Sequence, residues 1–346
     1  MIALLTAGII SFFTAILGMP LLIRWLDSRQ IGQPIRADGP QSHMKKKGTP
    51  TMGGIAIVFA AVAGYVAPHV LTQRLPFSRR GVLVVFAFVG AAAVGLADDW
   101  IKITHKRSLG LNKRAKIAGQ FSVAIIFATL AITWARVEPV LGFTRPQRPG
   151  WQVPAALWIA VMVFVVIGAS NAVNLTDGLD GLAAGSSVYA FGSYTVMGFW
   201  MFRHFNDYRI ERALDVAVVA ASMVGACAGF LWWNAAPARI FMGDVGSLAI
   251  GSALGAIAVV TYTPLLLPIV GGIFVMETVS VMLQVFSFRL MGGRRIFRMA
   301  PIHHHFELKG WPETTVIIRF WILAMIAAAL GLGLFYADFI RLGGVD

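Results

Sequence analysis

The chain has 346 residues, of which 58% are hydrophobic and only 13% are charged, and its mean hydropathy is +0.74. Soluble domains carry about 25% charged residues, so this chain has too little polar surface to cover a water-soluble globule. Its net charge of +13 must lie in short loops, which points to anionic partners such as phosphates and lipid headgroups, with no nucleic acid expected. The single cysteine, Cys227, excludes an intrachain disulfide framework.

Ten apolar runs follow one another, at about 2–23, 53–70, 82–97, 117–134, 154–169, 182–202, 213–233, 246–262, 265–288 and 316–340. Each is long and continuous enough to cross a bilayer as a helix, and too continuous for a transmembrane strand. The first run lacks a basic leading segment and a small-residue cleavage site before Arg24, so it reads as an anchor. The expected fold is therefore an all-α polytopic integral membrane protein, a single transmembrane domain over 1–346. Glycine pairs such as Gly225/Gly229 and Gly251/Gly255 permit close helix packing and need no catalytic explanation.

Ten spans place both termini on one side and make the nine loops alternate. Counting helix-end residues, nineteen of the 29 Lys and Arg belong to the odd-numbered loops. The positive-inside rule makes those loops cytoplasmic and both termini external. The same loops hold every cluster of unusual polar residues, which predicts one active site at the cytoplasmic mouth of the bundle.

Loop one carries Lys46, Lys47 and Thr51. Asp98 and Asp99 close the third run, followed by Lys102. Adjacent carboxylates repel unless a cation or a shared proton relieves them, and ionisable groups at bilayer depth are usually functional. Lys102, one turn after Asp98, suits a salt bridge or a phosphate. Arg114, with Lys113 and Lys116 beside it, thickens the positive field.

Loop five reads Asn171-Ala-Val-Asn174-Leu-Thr-Asp177-Gly-Leu-Asp180-Gly181. Asn171, Asn174 and Asp177 recur every three residues and share a helix face. Their amides and carboxylates suit a hard cation or a sugar and uracil, but the spacing does not fit a helix–loop–helix calcium site. Loop seven offers Asn234, then Phe241-Met-Gly-Asp244 at the start of the eighth run. Asp244 serves equally as an N-cap or as a magnesium ligand, and Phe241 is placed to stack on a base.

Loop nine holds His303-His304-His305 after Arg289, Arg294, Arg295 and Arg298. Consecutive side chains on a helix fan about 100° apart, so the three do not converge on one zinc; they suit phosphate oxygens, or simply a solvated basic loop. Glu277 is the one acid in the middle of a run, open to a proton relay or an interhelical hydrogen bond.

Together, Lys47-Gly-Thr-Pro-Thr51-Met-Gly-Gly54, Ala97-Asp-Asp99, Asn174-Leu-Thr-Asp-Gly-Leu-Asp-Gly181, Phe241-Met-Gly-Asp244 and Pro301-Ile-His-His-His-Phe-Glu-Leu-Lys-Gly-Trp311 span almost the whole chain. In these motifs it resembles the phospho-N-acetylmuramoyl-pentapeptide-transferases, a branch of the polyprenyl-phosphate hexose-1-phosphate transferases. The histidine segment separates this branch from the N-acetylglucosamine-phosphate transferases. The resemblance implies a ten-helix bacterial inner-membrane enzyme, dependent on Mg2+. Such an enzyme moves phospho-MurNAc-pentapeptide from UDP-MurNAc-pentapeptide to undecaprenyl phosphate, giving lipid I and UMP.

By resemblance, Asp244 ligates the metal, and Asp98 and Asp99 act at the lipid phosphate. Phe241 stacks on uracil near Asn171, Asn174, Asp177, Asp180, Asn234 and Lys46 or Thr51. His303 and His304, with His305 beside them, contact the diphosphate region, which Lys102 and Arg114 help to neutralise. The competing class is an ion-coupled transporter, which predicts polar residues lining a path across the midplane. Oligomeric state, a homodimer included, is open at this stage.

Overall fold

The computed structural model describes residues 1–29, 32, 48–72, 75–105 and 110–341, so Lys46 and Lys47 lie outside the described residues. In chain order it forms α1 (Ile2–Ser28), α2 (Gly54–Thr72), α3 (Arg79–Thr104), α4 (Lys113–Thr133), a hairpin of β1 (Val140–Arg145) and β2 (Arg148–Gln152), α5 (Ala155–Thr176) and α6 (Leu182–Arg203). A short turn, α7 (Phe205–Tyr208), leads to α8 (Ala213–Asn234), α9 (Gly243–Val260), α10 (Leu267–Val270), α11 (Gly272–Leu290), α12 (Ile302–Glu307) and α13 (Glu313–Ile340).

Nine helices among the described residues are long and apolar enough to cross a membrane. The tenth expected run is α6, which is 22 residues long but diluted by serines. Those hydroxyls are satisfied within the bundle: Ser187 donates to the Ala183 carbonyl at 2.7 Å, and Ser193 to that of Ala328 on α13 at 3.2 Å. The chain is an integral membrane protein of the all-α class.

The centre of the bundle is α9, with 89% of its most apolar stretch buried, against 28% for the peripheral α1, α4 and α11. Its sequence is rich in Gly, Ala and Ser, so neighbouring backbones approach closely, as membrane helices require in place of a hydrophobic driving force. A side-chain carbon at Gly251 would stand 2.3 Å from the Ala169 carbonyl of α5. At Gly225 on α8 it would stand 2.2 Å from the Gly8 carbonyl of α1. The expected role of these glycine pairs in close packing is therefore met, and Cys227 is a buried free thiol between them.

Three boundaries differ from the sequence reading. The third run does not end at Ala97: α3 continues to Thr104, because Lys102 one turn further along pairs with both carboxylates. Likewise α5 extends to Thr176 and carries Asn171 and Asn174 on helix. The ninth run is interrupted at Gly271, which separates α10 from α11. The loop-four hairpin, pairing Val140 with Gln152 and Leu141 with Trp151, was not anticipated.

Candidate active site

The end of α3 and the start of α9 bring three acids together. Carboxylate oxygens of Asp98, Asp99 and Asp244 all lie within 4.8 Å of one another. Asp98 and Asp99 are 2% and 3% exposed, so their charges require partners. Lys102, a turn further along α3, supplies one: its Nζ is 2.6 Å from Asp98 Oδ2, 3.1 Å from Asp99 Oδ1 and 2.8 Å from Asp244 Oδ2. Lys116 of α4 supplies the second, 2.7 Å from Asp244 Oδ2. Three negative charges face two positive ones, leaving a single negative excess.

Backbone donors fix the acids in place. The Leu111 amide donates to Asp98 Oδ1 at 2.9 Å, and the Val245 amide to Asp99 Oδ2 at 3.2 Å. Asn174 Nδ2 donates to Asp244 Oδ1 at 2.7 Å and to Ser247 Oγ at 2.8 Å. Gly243 precedes Asp244 with φ +71°, and a side-chain carbon there would stand 2.5 Å from Asp99 Oδ2. Glycine is needed here both for the left-handed backbone and for the approach of the acid.

Asp98 Oδ2 is buried and makes no well-angled hydrogen bond, although the Lys102 ammonium is close. Three convergent carboxylates with one under-coordinated oxygen form a hard-oxygen donor set, which suits a divalent magnesium ion. The residues present therefore fit the metal expected from the sequence.

Loop one is stitched to loop seven. The Phe241 amide donates to the Pro50 carbonyl at 2.8 Å, and the Gly53 and Gly54 amides donate to the Phe241 and Met242 carbonyls at 2.9 Å each. This places buried Thr51 beside Gly243, and Phe241 at the edge, half-buried.

Loop five meets loop seven, and its Asp180 amide donates to Glu313 Oε1, at the end of loop nine, at 3.1 Å. Asp180 Oδ2 accepts from the Ala238 amide at 2.9 Å, while Asn234 accepts from the Gly181 amide at 2.9 Å and donates to the Ile240 carbonyl at 2.8 Å. Asn234 thus spends both ends of its amide bracing two loops against each other. Asn171 donates to Gln120 Oε1 of α4 at 2.8 Å. Asp177 keeps a partly open edge, yet burial, then the charges of Asp244, Asp99 and Asp180, push its pKa up to about 7.

The three histidines do fan around α12. His303 is fully enclosed, with Nδ1 3.1 Å from Glu277 Oε1. His304 Nδ1 is 2.7 Å from Glu307 Oε2, and His305 Nδ1 accepts from the Arg298 amide at 3.0 Å. Burial together with the nearby cations Lys309 and Arg298 lowers the His305 pKa.

Of the residues expected from sequence, Asp98, Asp99, Lys102, Asp244 and Asn174 form one bonded cluster. Thr51, Phe241, Asn234, Asp180 and Asp177 surround it through the joined loops. Arg114 does not join; it is exposed. Two residues along a helix is about 200° of rotation, and Lys116 is the α4 cation that reaches the acids. Sequence reading counted Lys116 only as part of the positive field beside Arg114 and did not single out Gln120 or Ser247. Helical phase from Gln120 would have marked Lys116, since the two are four residues apart and share a face.

The fold and this cluster define a class. Residues 82–262, from α3 through α9, match the profile of glycosyl transferase family 4, and residues 46–58 match phospho-N-acetylmuramoyl-pentapeptide-transferase signature 1. The chain is 49% identical to the phospho-N-acetylmuramoyl-pentapeptide-transferase of Frankia casuarinae, over 98% of this chain and 99% of that one. It is 48% identical to that of Streptomyces griseus (96% and 98% covered) and 47% to that of Cutibacterium acnes (97% and 98%). The chain belongs to the phospho-N-acetylmuramoyl-pentapeptide-transferase family.

Proposed function

We propose that the protein transfers phospho-MurNAc-pentapeptide from UDP-MurNAc-pentapeptide to undecaprenyl phosphate, forming lipid I and releasing UMP, in a Mg2+-dependent reaction. The observation that carries this reading is the Asp98–Asp99–Asp244 cluster with Lys102 and Lys116, at the meeting of α3, α4, α5 and α9, in a chain of this family. The excess of basic residues in the same set of loops supports a site on the cytoplasmic face of the inner membrane, with both termini outside.

In this reaction an oxygen of the lipid phosphate bonds to the β-phosphorus of the diphosphate. The bond from that phosphorus to the bridging oxygen breaks, and UMP leaves with the electron pair. Phosphoryl chemistry of this kind is mostly positioning and charge stabilisation. Asp244, with Asp98 and Asp99 beside it, would hold magnesium, which when bound neutralises phosphate oxygens and orients them.

Lys102 and Lys116 hold positive charge where two anions must meet. A phosphate monoester has a second pKa near ~6 and is mainly dianionic at neutral pH, so direct attack needs little activation. Asp98, whose Oδ2 lacks a well-angled hydrogen bond, accepts any remaining proton. Phe241, Asn171, Asn174, Asp177, Asp180, Asn234 and Thr51 line or brace the nucleotide-sugar end, with His303, His304 and His305 towards the diphosphate; Arg114 is exposed and stays apart from the cluster, and Lys46 and Lys47 precede Thr51 in the sequence.

The test is transfer of label from UDP-MurNAc-pentapeptide to undecaprenyl phosphate with magnesium, Asp244→Asn serving as control. A wild-type protein that forms no lipid-linked product overturns the reading. UMP release in a single turnover without the lipid would instead favour a covalent aspartyl-phosphate route.

A further inference from the structure

Glu277 and His303 take no part in the carboxylate cluster, yet both side chains are fully enclosed, at 0% exposure. Their only polar approach to each other is Glu277 Oε1 to His303 Nδ1 at 3.1 Å. Neither carboxylate oxygen and neither ring nitrogen makes a well-angled hydrogen bond among the described residues. A carboxylate in such surroundings is costly unless it is paired, and the imidazole is the group it faces.

The second ring nitrogen points elsewhere. A side-chain carbon at Gly178 would stand 2.3 Å from His303 Nε2. Only a glycine therefore leaves room for this nitrogen against the turn that follows α5. That turn carries Asp177, and Asn174 one helical turn earlier donates to Asp244. His304 repeats the arrangement one residue on, its Nδ1 held by Glu307 and its ring 4.1 Å from that of His303.

We propose that Glu277 is a positioning residue for His303. Its carboxylate accepts a hydrogen bond from Nδ1–H and thereby fixes the ring and its tautomer. Nε2 is thereby presented over Gly178 towards the substrate-facing turn. The physics is that of a carboxylate orienting an imidazole from behind, which sets the chemistry of the far nitrogen. It accounts for a buried acid within a membrane-spanning helix without a transport path. The proposal rests on the transferase reading for its effect on rate, though not for the pairing itself.

The test uses the full chain in detergent, with UDP-MurNAc-pentapeptide, undecaprenyl phosphate and magnesium. Glu277→Gln is expected to lower kcat by about 10- to 100-fold, with KM for the nucleotide substrate within about 3-fold and Tm preserved. Glu277→Asp, which keeps the charge, recovers much of the loss. In a His303→Asn background Glu277→Gln costs nothing further, because residues acting through one another are not additive. Unchanged kcat, or a full additional loss on top of His303→Asn, overturns the proposal.

Nitrogen-15 NMR of the histidines, without substrate, reads the pairing separately. The His303 signal is assigned by its disappearance in His303→Asn, and its Nδ1 and Nε2 shifts move in Glu277→Gln. If Glu277→Gln does not fold, Glu277→Asp carries both readings, with intermediate shifts. A wild type that releases no UMP overturns the transferase reading alone, while an unmoved His303 signal overturns the pairing.

Discussion

Two buried acid centres sit at opposite ends of the bundle, and they are built differently. At the end where α2 finishes and α3 and α8 begin, Asp215 is alone and fully satisfied. Its Oδ1 is 2.7 Å from His69 Nε2, and its Oδ2 accepts from the Tyr65 hydroxyl at 3.0 Å and the Ser78 amide at 2.7 Å. The other His69 nitrogen faces the Tyr65 carbonyl at 2.7 Å. Both nitrogens thus face acceptors, and both oxygens of the acid are occupied. At the other end three acids crowd two lysines, and one oxygen lacks a well-angled hydrogen bond. One centre closes a junction of helices; the other keeps unbalanced charge in place for a ligand.

The sharpest way to break this contrast is to remove one acid from each end. Asp244→Asn is expected to lower transfer by about 10^3-fold or more, with Tm close to that of wild type, since crowding is relieved as pairing is lost. Asp215→Asn is expected to do the reverse. It takes a carboxylate acceptor from the buried network of His69, Tyr65 and Ser78, a loss of about 3 kcal/mol, seen as a lower Tm while the protein that remains folded keeps its kcat. Assay and thermal melt on the same two preparations decide the matter. Equal loss of activity and stability in both variants would erase the distinction.

A smaller effect separates two neighbours on α4. Lys116→Ala removes an ammonium 2.7 Å from Asp244 Oδ2 and should cost about 10- to 100-fold in kcat/KM. Arg114→Ala, at an exposed site, should cost less than about 3-fold, as surface charges do. The order reverses if the guanidinium, rather than the ammonium, meets the diphosphate.

Much of this architecture was legible in the sequence because the bilayer leaves few options: long apolar runs must be helices. The convergence of the odd loops followed from alternation alone. The ends of helices were less legible. Hydropathy stops a span at the first charge, so Asp98 and Asp99 looked terminal, whereas Lys102 and the Leu111 amide let α3 continue to Thr104. Lys116 was hidden for a similar reason. In a run of Lys113, Arg114 and Lys116, charge counting gives no direction, and only the phase of α4 against α3 and α9 selects one. Asn234 looked like a ligand-facing amide and proved to brace two loops, since sequence does not reveal which polar groups the backbone already occupies.

The last effect is on stability against pH, and it arises from Asp177. Desolvation and the nearby charges of Asp244, Asp99 and Asp180 raise its pKa from 3.8 to about 7, so the folded protein holds a proton there that the unfolded chain releases near pH 4. Between those values the folded state binds more protons than the unfolded state, and stability falls as pH rises. The contribution is intact below pH 4 and lost above about 7. In chelator, Tm should therefore decline across this window, and Asp177→Asn should flatten the decline. Magnesium at the neighbouring carboxylates offsets the charges that raise this pKa, so adding it at pH 6 should recover part of the lost Tm in wild type and less of it in Asp177→Asn. A slope that Asp177→Asn leaves unchanged would assign the titration to another group and detach Asp177 from the electrostatics of the acid cluster.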